Sequence, residues 1–202
     1  MHYFFLDTEW ADAHAMSLVS LALVSAEDER ELYLELDPPP GDPKPFARDV
    51  VYPLLEGGTS ALPAAQLRQQ LFNFLSASPC AAVIADHHHN LGLLRRFLGP
   101  EVLDRLHDRG LILTRCHKDE RMQQLTEAWF ASSPERARTR HHALNDARAL
   151  RYAWCVVTGR LPVQRHRITG SGSEVSPRLH SSDQALGTIA VETSARMAQP
   201  SR

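Results

Sequence analysis

The sequence predicts an α/β fold in which one mixed β-sheet is flanked by helices. Three strand-like segments with short connections open the chain, and helix-like segments separate two further apolar strands at 81–85 and 111–114. Strands joined by short turns form an antiparallel meander, whereas strands joined through helices pair in parallel. At 202 residues, the chain is long enough to bury one core of ordinary size.

The opening segments carry the pattern of the antiparallel meander. Residues 3–8 and 17–24 are mostly apolar, which is typical of buried strands. Residues 31–36 alternate charged and apolar side chains, which is typical of a strand with one exposed face. The proline-rich run 38–43 ends the meander, because proline lacks the N–H that a sheet ladder needs.

Helices are predicted where apolar residues recur at intervals of three or four. Pro63 suits the first turn of the first helix, and the segment 67–75 supplies its apolar stripe. Gly110 and Gly159 are placed to end two of the later helices. The other predicted helices cover residues 91–98, 101–109, 120–130 and 143–157.

A change of composition near residue 163 divides the chain into two parts. Residues 1–163 contain all the predicted strands and helices and are expected to form one domain. Residues 164–202 are rich in serine, glycine, threonine and arginine, with only scattered apolar residues. We expect this second part to be a flexible tail.

The cysteines and the apolar segments favour a reducing, aqueous environment. Cys80, Cys116 and Cys155 are widely spaced without a C-x-x-C pair, which argues against a disulfide framework or a cysteine zinc site. No basic segment leads into an apolar one near residue 1, and no apolar run is long enough to span a bilayer. We therefore expect a cytoplasmic protein without a membrane partner.

The formal charge of −2 hides an asymmetry along the chain. Residues 1–70 contain 4 basic and 12 acidic side chains, whereas residues 71–202 contain 18 basic and 12 acidic ones. Eight arginines and one acid, Asp146, occur between Arg136 and Arg167. Arginine binds phosphate oxygens well, so this stretch can steer a polyanion toward the acidic part of the protein. A solvated helix face followed by a tail explains the same charges equally well.

Asp7 and Glu9 are two residues apart at the end of the first apolar strand, so their side chains project from the same face. Closely spaced carboxylates repel one another, and divalent cations remove that repulsion. Oxygen ligands favour Mg²⁺ or Mn²⁺, and two such ions roughly 3.5–4 Å apart can hold the attacking and leaving oxygens of a phosphodiester. The alternative is a pair of exposed acids at a strand end.

Two further acids and a histidine are candidates for the same site. Asp86 follows the strand 81–85, and ligands of α/β sheets gather at such strand ends. Asp146 lies in the first turn of the last helix, where the helix dipole also favours an acid for structural reasons. His141 lies just before that helix and can accept a proton from water, although His142 is a rival for the role.

In this order the motifs resemble those of the DEDDh superfamily of 3′–5′ exonucleases, which share the ribonuclease H-like fold. The resemblance consists of Phe-Leu-Asp-Thr-Glu at 5–9 for the first motif and His141-x4-Asp146 for the third. Its layout is similar to that of small single-domain bacterial exoribonucleases, and it covers roughly residues 1–160. The middle motif departs from the common pattern, because Asp86 follows its strand directly and precedes a histidine run.

The resemblance implies a metal-dependent 3′–5′ exoribonuclease that releases nucleoside 5′-monophosphates from single-stranded RNA. It implies that Asp7, Glu9, Asp86 and Asp146 hold two Mg²⁺ or Mn²⁺ ions and that His141 is the general base. It also implies a homodimer. DNA stays open as an alternative substrate, because the loops that contact the 2′-hydroxyl are not recognisable in the sequence.

Residues beside the acids are candidates for substrate binding. Thr8 and Asn90 are two of them, and Trp10 can either stack on the terminal base or belong to the core. The histidine run 87–89 offers imidazoles that suit zinc or nickel, but consecutive histidines do not easily face one ion. The favoured interpretation of this run is a polar lining at the mouth of the site.

Two other functions stay open. A phosphatase would use Asp7 as its nucleophile, but Glu9 stands where such enzymes usually have a second aspartate, and no lysine occurs between Lys44 and Lys118. A nucleic-acid-binding protein without catalysis would keep the same fold. The presence of a suitable residue at all five expected catalytic positions argues against that second alternative.

Overall fold

A computed structural model describes residues 1–160, so the tail predicted at 164–202 lies outside the described residues. The strands are β1 (His2–Trp10), β2 (Leu18–Ser25), β3 (Glu31–Leu36), β4 (Ala61–Leu62), β5 (Ala81–Ala85) and β6 (Ile112–Arg115). The α-helices are α1 (Ala64–Ser76), α2 (His88–Leu98), α3 (Pro100–His107), α4 (Glu120–Ala131), α5 (Pro134–Arg138) and α6 (Ala143–Val157). None of these helices has the length and apolar character needed to cross a bilayer.

The six strands form one mixed sheet in the order β4-β3-β2-β1-β5-β6. The β1–β2 and β2–β3 pairs are antiparallel, whereas β1–β5, β5–β6 and β3–β4 are parallel. Short turns join the antiparallel strands, and longer crossovers join the parallel ones, as the two kinds of pairing require. The predicted α/β fold with a mixed sheet is confirmed, and the architecture is compatible with a ribonuclease H-like fold.

β1 lies between two apolar cores. Phe4 and Leu6 are fully buried against the leucines of α1, α2 and α3 on one face of the sheet. Phe5 points to the opposite face, where it packs with residues of α4 and α6. Because side chains alternate along a strand, Asp7 and Glu9 continue the Phe5 face and lie on the side that α4 and α6 cover.

The structure differs from the sequence prediction in its short elements. β4 has two residues and α5 has five, and elements of that length contain no periodic apolar pattern from which to predict them. A π-helical turn and two 3₁₀ turns occupy Ala47–Val51, Tyr52–Leu54 and Gly58–Ser60. α2 begins at His88 rather than at residue 91, because the side chain of His87 caps it by accepting a hydrogen bond from the His89 N–H.

The leucine core predicts the effect of a substitution in α1, where Leu71 is fully buried. Leu71→Ala removes apolar surface and leaves a cavity, so we expect the free energy of unfolding to fall by about 2–5 kcal/mol. Urea denaturation followed by circular dichroism measures this change. Gln70 is exposed, and we expect the matched Gln70→Ala variant to stay within about 0.5 kcal/mol of the wild type. Equal effects of the two substitutions would contradict the assigned core.

Candidate active site

One cavity of about 370 Å³ opens at the carboxyl ends of β1 and β5. It contains all five residues predicted to be catalytic, although these come from three distant parts of the chain. The cavity is lined by Asp7, Thr8, Glu9, Trp10, Phe46, Asp86, His87, Asn90, Lys118, Thr126, His141, Asp146 and Leu150. The fold therefore brings the predicted site residues together.

Strand register and helix packing bring the acids to this cavity. β1 and β5 pair in parallel with Phe5 opposite Ile84, so Asp7 and Asp86, each two residues further along, lie at the same end of the sheet. α6 packs across β1 and β2, so Asp146 in its first turn lies over the same end of the sheet. Glu9, His141 and Asp146 each have one potential ligand atom within 4.8 Å of those of the other two.

The backbone holds His141 and Asp146 to each other. The His141 N–H donates a hydrogen bond to Oδ2 of Asp146, at 2.8 Å. His141 has a φ of 69°, a left-handed conformation that is uncommon for residues other than glycine and that costs free energy. His141 lines the cavity, and the ring of Phe46 meets its imidazole edge-on with centroids 4.9 Å apart.

Burial and mutual repulsion make ionisation of these acids unfavourable. Burial raises the pKa of Glu9 to about 9, with a further contribution from Asp146. Burial also raises the pKa of Asp146 to about 7, although the hydrogen bond from the His141 N–H opposes this effect. The pKa of Asp7 is raised well above its ordinary value by burial first and then by Asp146, Glu9 and Asp86.

The donor set of the cavity fits Mg²⁺ or Mn²⁺. Four carboxyl groups line it, and hard divalent ions prefer oxygen ligands of this kind. Burial first and neighbouring acids second raise the pKa values of Asp7 and Glu9, and a bound cation would oppose both effects. We therefore expect Asp7, Glu9, Asp86 and Asp146 to be the residues that hold the ions.

Lys118 and Phe46 line the cavity without having been predicted from the sequence. Nζ of Lys118 lies 3.1 Å from Oδ2 of Asp86 and forms an ion pair with it. Phe46 is 53% exposed and contacts His141 from the segment between β3 and β4. A single lysine or phenylalanine in a loop carries no periodic signal, so tertiary packing alone reveals that these side chains reach the site.

Asn90 and Thr8 are buried beside Asp7. The Thr8 hydroxyl donates to Oδ1 of Asn90 at 2.8 Å, and Nδ2 of Asn90 donates to Oδ1 of Asp7 at 3.0 Å. The oxygen and the nitrogen of the Asn90 side-chain amide therefore both form hydrogen bonds within the protein. These hydrogen bonds orient the Asp7 carboxylate. Direct contact of Thr8 or Asn90 with substrate stays a prediction.

Trp10 belongs to the core and also faces the cavity, and its stacking on a terminal base stays a prediction. Its ring packs against the leucine core and also lines the cavity, where the imidazole of His89 meets it edge-on at 5.7 Å. The pairing of β1 with β2 shifts register between Glu9 and Trp10. A register shift of this kind changes the direction in which side chains point at a strand end, and such shifts are common beside functional sites.

Of the two rival histidines, His141 lines the cavity and His142 does not. His142 is only 6% exposed, its ring stacks on Tyr33 at 4.4 Å, and its Nε2 lies 3.4 Å from Oε1 of Glu56. Burial and the neighbouring Arg140 lower the pKa of His141. The imidazole of His141 is therefore neutral near pH 7 and able to accept a proton.

Comparisons with known protein families and with curated proteins find no match for this chain. The positions of the residues in the cavity therefore carry the assignment of their roles. The expected reaction, metal-dependent 3′–5′ exonuclease cleavage, rests on the resemblance of the sequence motifs to those of DEDDh exonucleases.

The raised pKa values of the acids predict that the metal-free protein loses stability as the pH rises. A glutamate in the unfolded chain has a pKa of about 4.3. At pH values between this pKa and the higher pKa of the folded state, the folded protein binds more protons than the unfolded chain. Stability falls with increasing pH in that window, which for Glu9 extends to about pH 9. We expect urea denaturation in a chelator to show a fall on the order of 1–3 kcal/mol between roughly pH 5.5 and 8.

Matched variants test the source of this pH dependence. Glu9→Gln removes the titrating carboxyl group and is expected to flatten the decline, whereas Glu101→Gln on the exposed surface of α3 leaves it unchanged. Added Mg²⁺ is expected to restore stability at alkaline pH, because a ligand that binds only the folded state stabilises it. An identical pH dependence in all three proteins would contradict a raised pKa at Glu9.

The hydrogen bonds of Asn90 predict an effect on metal affinity. Asn90→Leu keeps a similar volume but removes both the donor to Asp7 and the acceptor for Thr8. We expect roughly tenfold weaker Mn²⁺ binding in a calorimetric titration, because residues that orient metal ligands commonly have effects of this size. Asn73→Leu alters an exposed asparagine of α1 and serves as the control. Unchanged Mn²⁺ affinity in Asn90→Leu would argue against the positioning role.

Proposed function

We propose that this chain is a metal-dependent 3′–5′ exoribonuclease that releases nucleoside 5′-monophosphates from single-stranded RNA. The observation that carries the proposal is the meeting of four carboxyl groups and one histidine in a single cavity from remote segments of the chain. The order of the motifs, which resembles that of DEDDh exonucleases, supports cleavage from the 3′ end. A homodimer and a cytoplasmic location belong to the same proposal, the latter supported by the three free cysteines.

Asp7, Glu9, Asp86 and Asp146 are assigned to hold two Mg²⁺ or Mn²⁺ ions. When bound, such ions polarise a phosphate group and offset the negative charge that develops during its hydrolysis. Lys118 adds a positive charge beside Asp86, within reach of the same cavity. Asp7 and Glu9 lie on β1, Asp86 directly follows β5 and Asp146 lies in the first turn of α6, so regular secondary structure supports the carboxyl groups.

His141 is assigned as the general base. Its imidazole lies beside Glu9 and Asp146 and accepts the proton of the attacking water at a ring nitrogen. The lowered pKa of His141 keeps the ring neutral and able to accept that proton near pH 7. Phe46 packs edge-on against the imidazole and restricts its orientation.

Aromatic and basic side chains around the cavity suit a nucleic-acid strand. Trp10 and Phe46 line the cavity, and stacking of bases on aromatic rings tolerates any sequence. Arg136 and Arg138 of α5 are exposed just ahead of His141 in the chain, where basic groups attract phosphates. These features support a polyanionic, single-stranded substrate. The preference for RNA follows from the resemblance to exoribonucleases.

One observation favours a phosphatase with Asp7 as its nucleophile. Such enzymes need a lysine beside their acids, and Lys118 reaches the cavity and contacts Asp86. Glu9, however, occupies the position where they usually carry a second aspartate. Mass spectrometry after incubation with a small phosphate ester distinguishes the two functions, because an acyl-phosphate on Asp7 is expected only for the phosphatase.

Cleavage of labelled RNA tests the exonuclease directly. With 5′-labelled single-stranded RNA and Mg²⁺ or Mn²⁺, we expect a ladder of products that shorten from the 3′ end. Asp7→Asn is expected to abolish the ladder because it removes a charged ligand, whereas Asp104→Asn on the exposed surface of α3 keeps it. RNA left intact by the wild type with both metals would overturn the proposal. A DNA oligonucleotide run in parallel tests the alternative substrate.

His141→Ala separates catalysis from metal binding. We expect kcat to fall by about 10²–10⁴-fold, the usual contribution of a general base, while Mn²⁺ affinity stays near that of the wild type. His14 is exposed in the turn after β1, and His14→Ala is the control that keeps activity. A ring nitrogen of His141 lies within 4.8 Å of oxygens of Glu9 and Asp146, so loss of Mn²⁺ binding would instead identify His141 as a ligand.

A further inference from the structure

Three consecutive histidines, of which the first lines the cavity, have no part in the proposed reaction. His87 lies just before α2 with an extended backbone, at φ −120° and ψ 141°, while His88 and His89 are the first residues of the helix. Within a regular helix, successive side chains diverge by about 100°, which separates consecutive histidines. The extended backbone of His87 removes this divergence for its own ring, whereas His88 and His89 both lie in the helix.

The three imidazole rings nevertheless lie close together. Their centroids are 4.5 Å apart for His87 and His88, 4.6 Å for His87 and His89, and 4.1 Å for His88 and His89. One nitrogen of each ring lies within 4.8 Å of a nitrogen of each of the others. A tetrahedral zinc ion with bonds of about 2.0–2.1 Å needs nitrogens roughly 3.4 Å apart, so the rings must rotate to bring their nitrogens closer together. The rings are therefore closer together than the sequence analysis expected for consecutive histidines.

Two contacts orient these rings. Nδ1 of His87 accepts a hydrogen bond from the His89 N–H at 3.3 Å, so the neutral ring carries its proton on Nε2, and an ion would bind Nδ1 in place of this hydrogen bond. The partly buried His89 ring meets Trp10 edge-on at 5.7 Å, whereas His87 and His88 are exposed. Packing against Trp10 restricts the orientation of the His89 ring before an ion binds.

We propose that His87, His88 and His89 bind one transition-metal ion of the zinc class, at a site separate from the carboxyl groups. Imidazole nitrogens suit Zn²⁺, Ni²⁺ and Cu²⁺, whereas the oxygens of the cavity suit Mg²⁺ and Mn²⁺. Three protein ligands leave a fourth position for water or an anion, at the entrance of the cavity that His87 also lines. The proposal does not depend on the exonuclease activity, because ion binding is measured directly.

The experiment is a calorimetric titration of the full, untagged, metal-stripped chain with Zn²⁺ in the presence of excess Mg²⁺. We expect one Zn²⁺ per chain at the histidine site. His88→Gln combined with His89→Gln is expected to weaken this binding by at least about tenfold, while thermal unfolding and Mn²⁺ affinity stay unchanged. His14→Gln combined with His107→Gln removes two exposed histidines elsewhere and is expected to leave Zn²⁺ binding intact.

X-ray absorption at the zinc edge provides a second measurement, for which we expect a first shell dominated by imidazole nitrogen. Zinc binding that survives in the His88/His89 double variant and disappears in Asp146→Asn would overturn the proposal, because the ion would then occupy the carboxylate site. The proposal would also be overturned by equal Zn²⁺ affinities of the two double variants, or by a wild-type chain that binds no Zn²⁺.

Discussion

The burial of several carboxyl groups beside one another is the constraint on which the rest of the structure depends. Asp7, Glu9 and Asp146 all have raised pKa values because burial and neighbouring acids disfavour their charged forms. Such a cluster destabilises the protein in the absence of a cation. Two apolar cores, one on each face of β1, offset this cost and keep the acids in place. The cavity is therefore arranged for an occupant that brings positive charge.

Three local features converge to build this cluster. The alternation of side chains along β1 places the acids on the face opposite to Phe4 and Leu6. The parallel pairing of β5 with β1 brings Asp86 to the same end of the sheet as Asp7, and the start of α6 adds Asp146. His141 has a left-handed backbone conformation, and its N–H donates a hydrogen bond to the Asp146 carboxylate. Each feature is ordinary, and their coincidence at one end of the sheet creates the site.

The parts of this arrangement that depend on local pattern can be predicted from the sequence, and the others cannot. The longer strands and helices follow from apolar periodicity, and Asp7 and Asp146 stand out because they lie at the ends of such elements. β4 and α5 are too short for a pattern. Lys118 and Phe46 reach the cavity through tertiary packing alone. Only the fold shows that His141 lines the cavity whereas His142 is buried against Tyr33. The short distances between the rings of the histidine run are likewise seen only in the fold.

The two edges of the sheet are formed by its shortest strands, β4 with two residues and β6 with four. An edge strand exposes unpaired N–H and C=O groups, which another molecule can use as a template for strand addition. β4 pairs only with Glu35 and Leu36, so residues 31–34 of β3 have no strand partner on their outer side. Among the described residues, this part of β3 is therefore a stretch of the sheet that is open to strand addition.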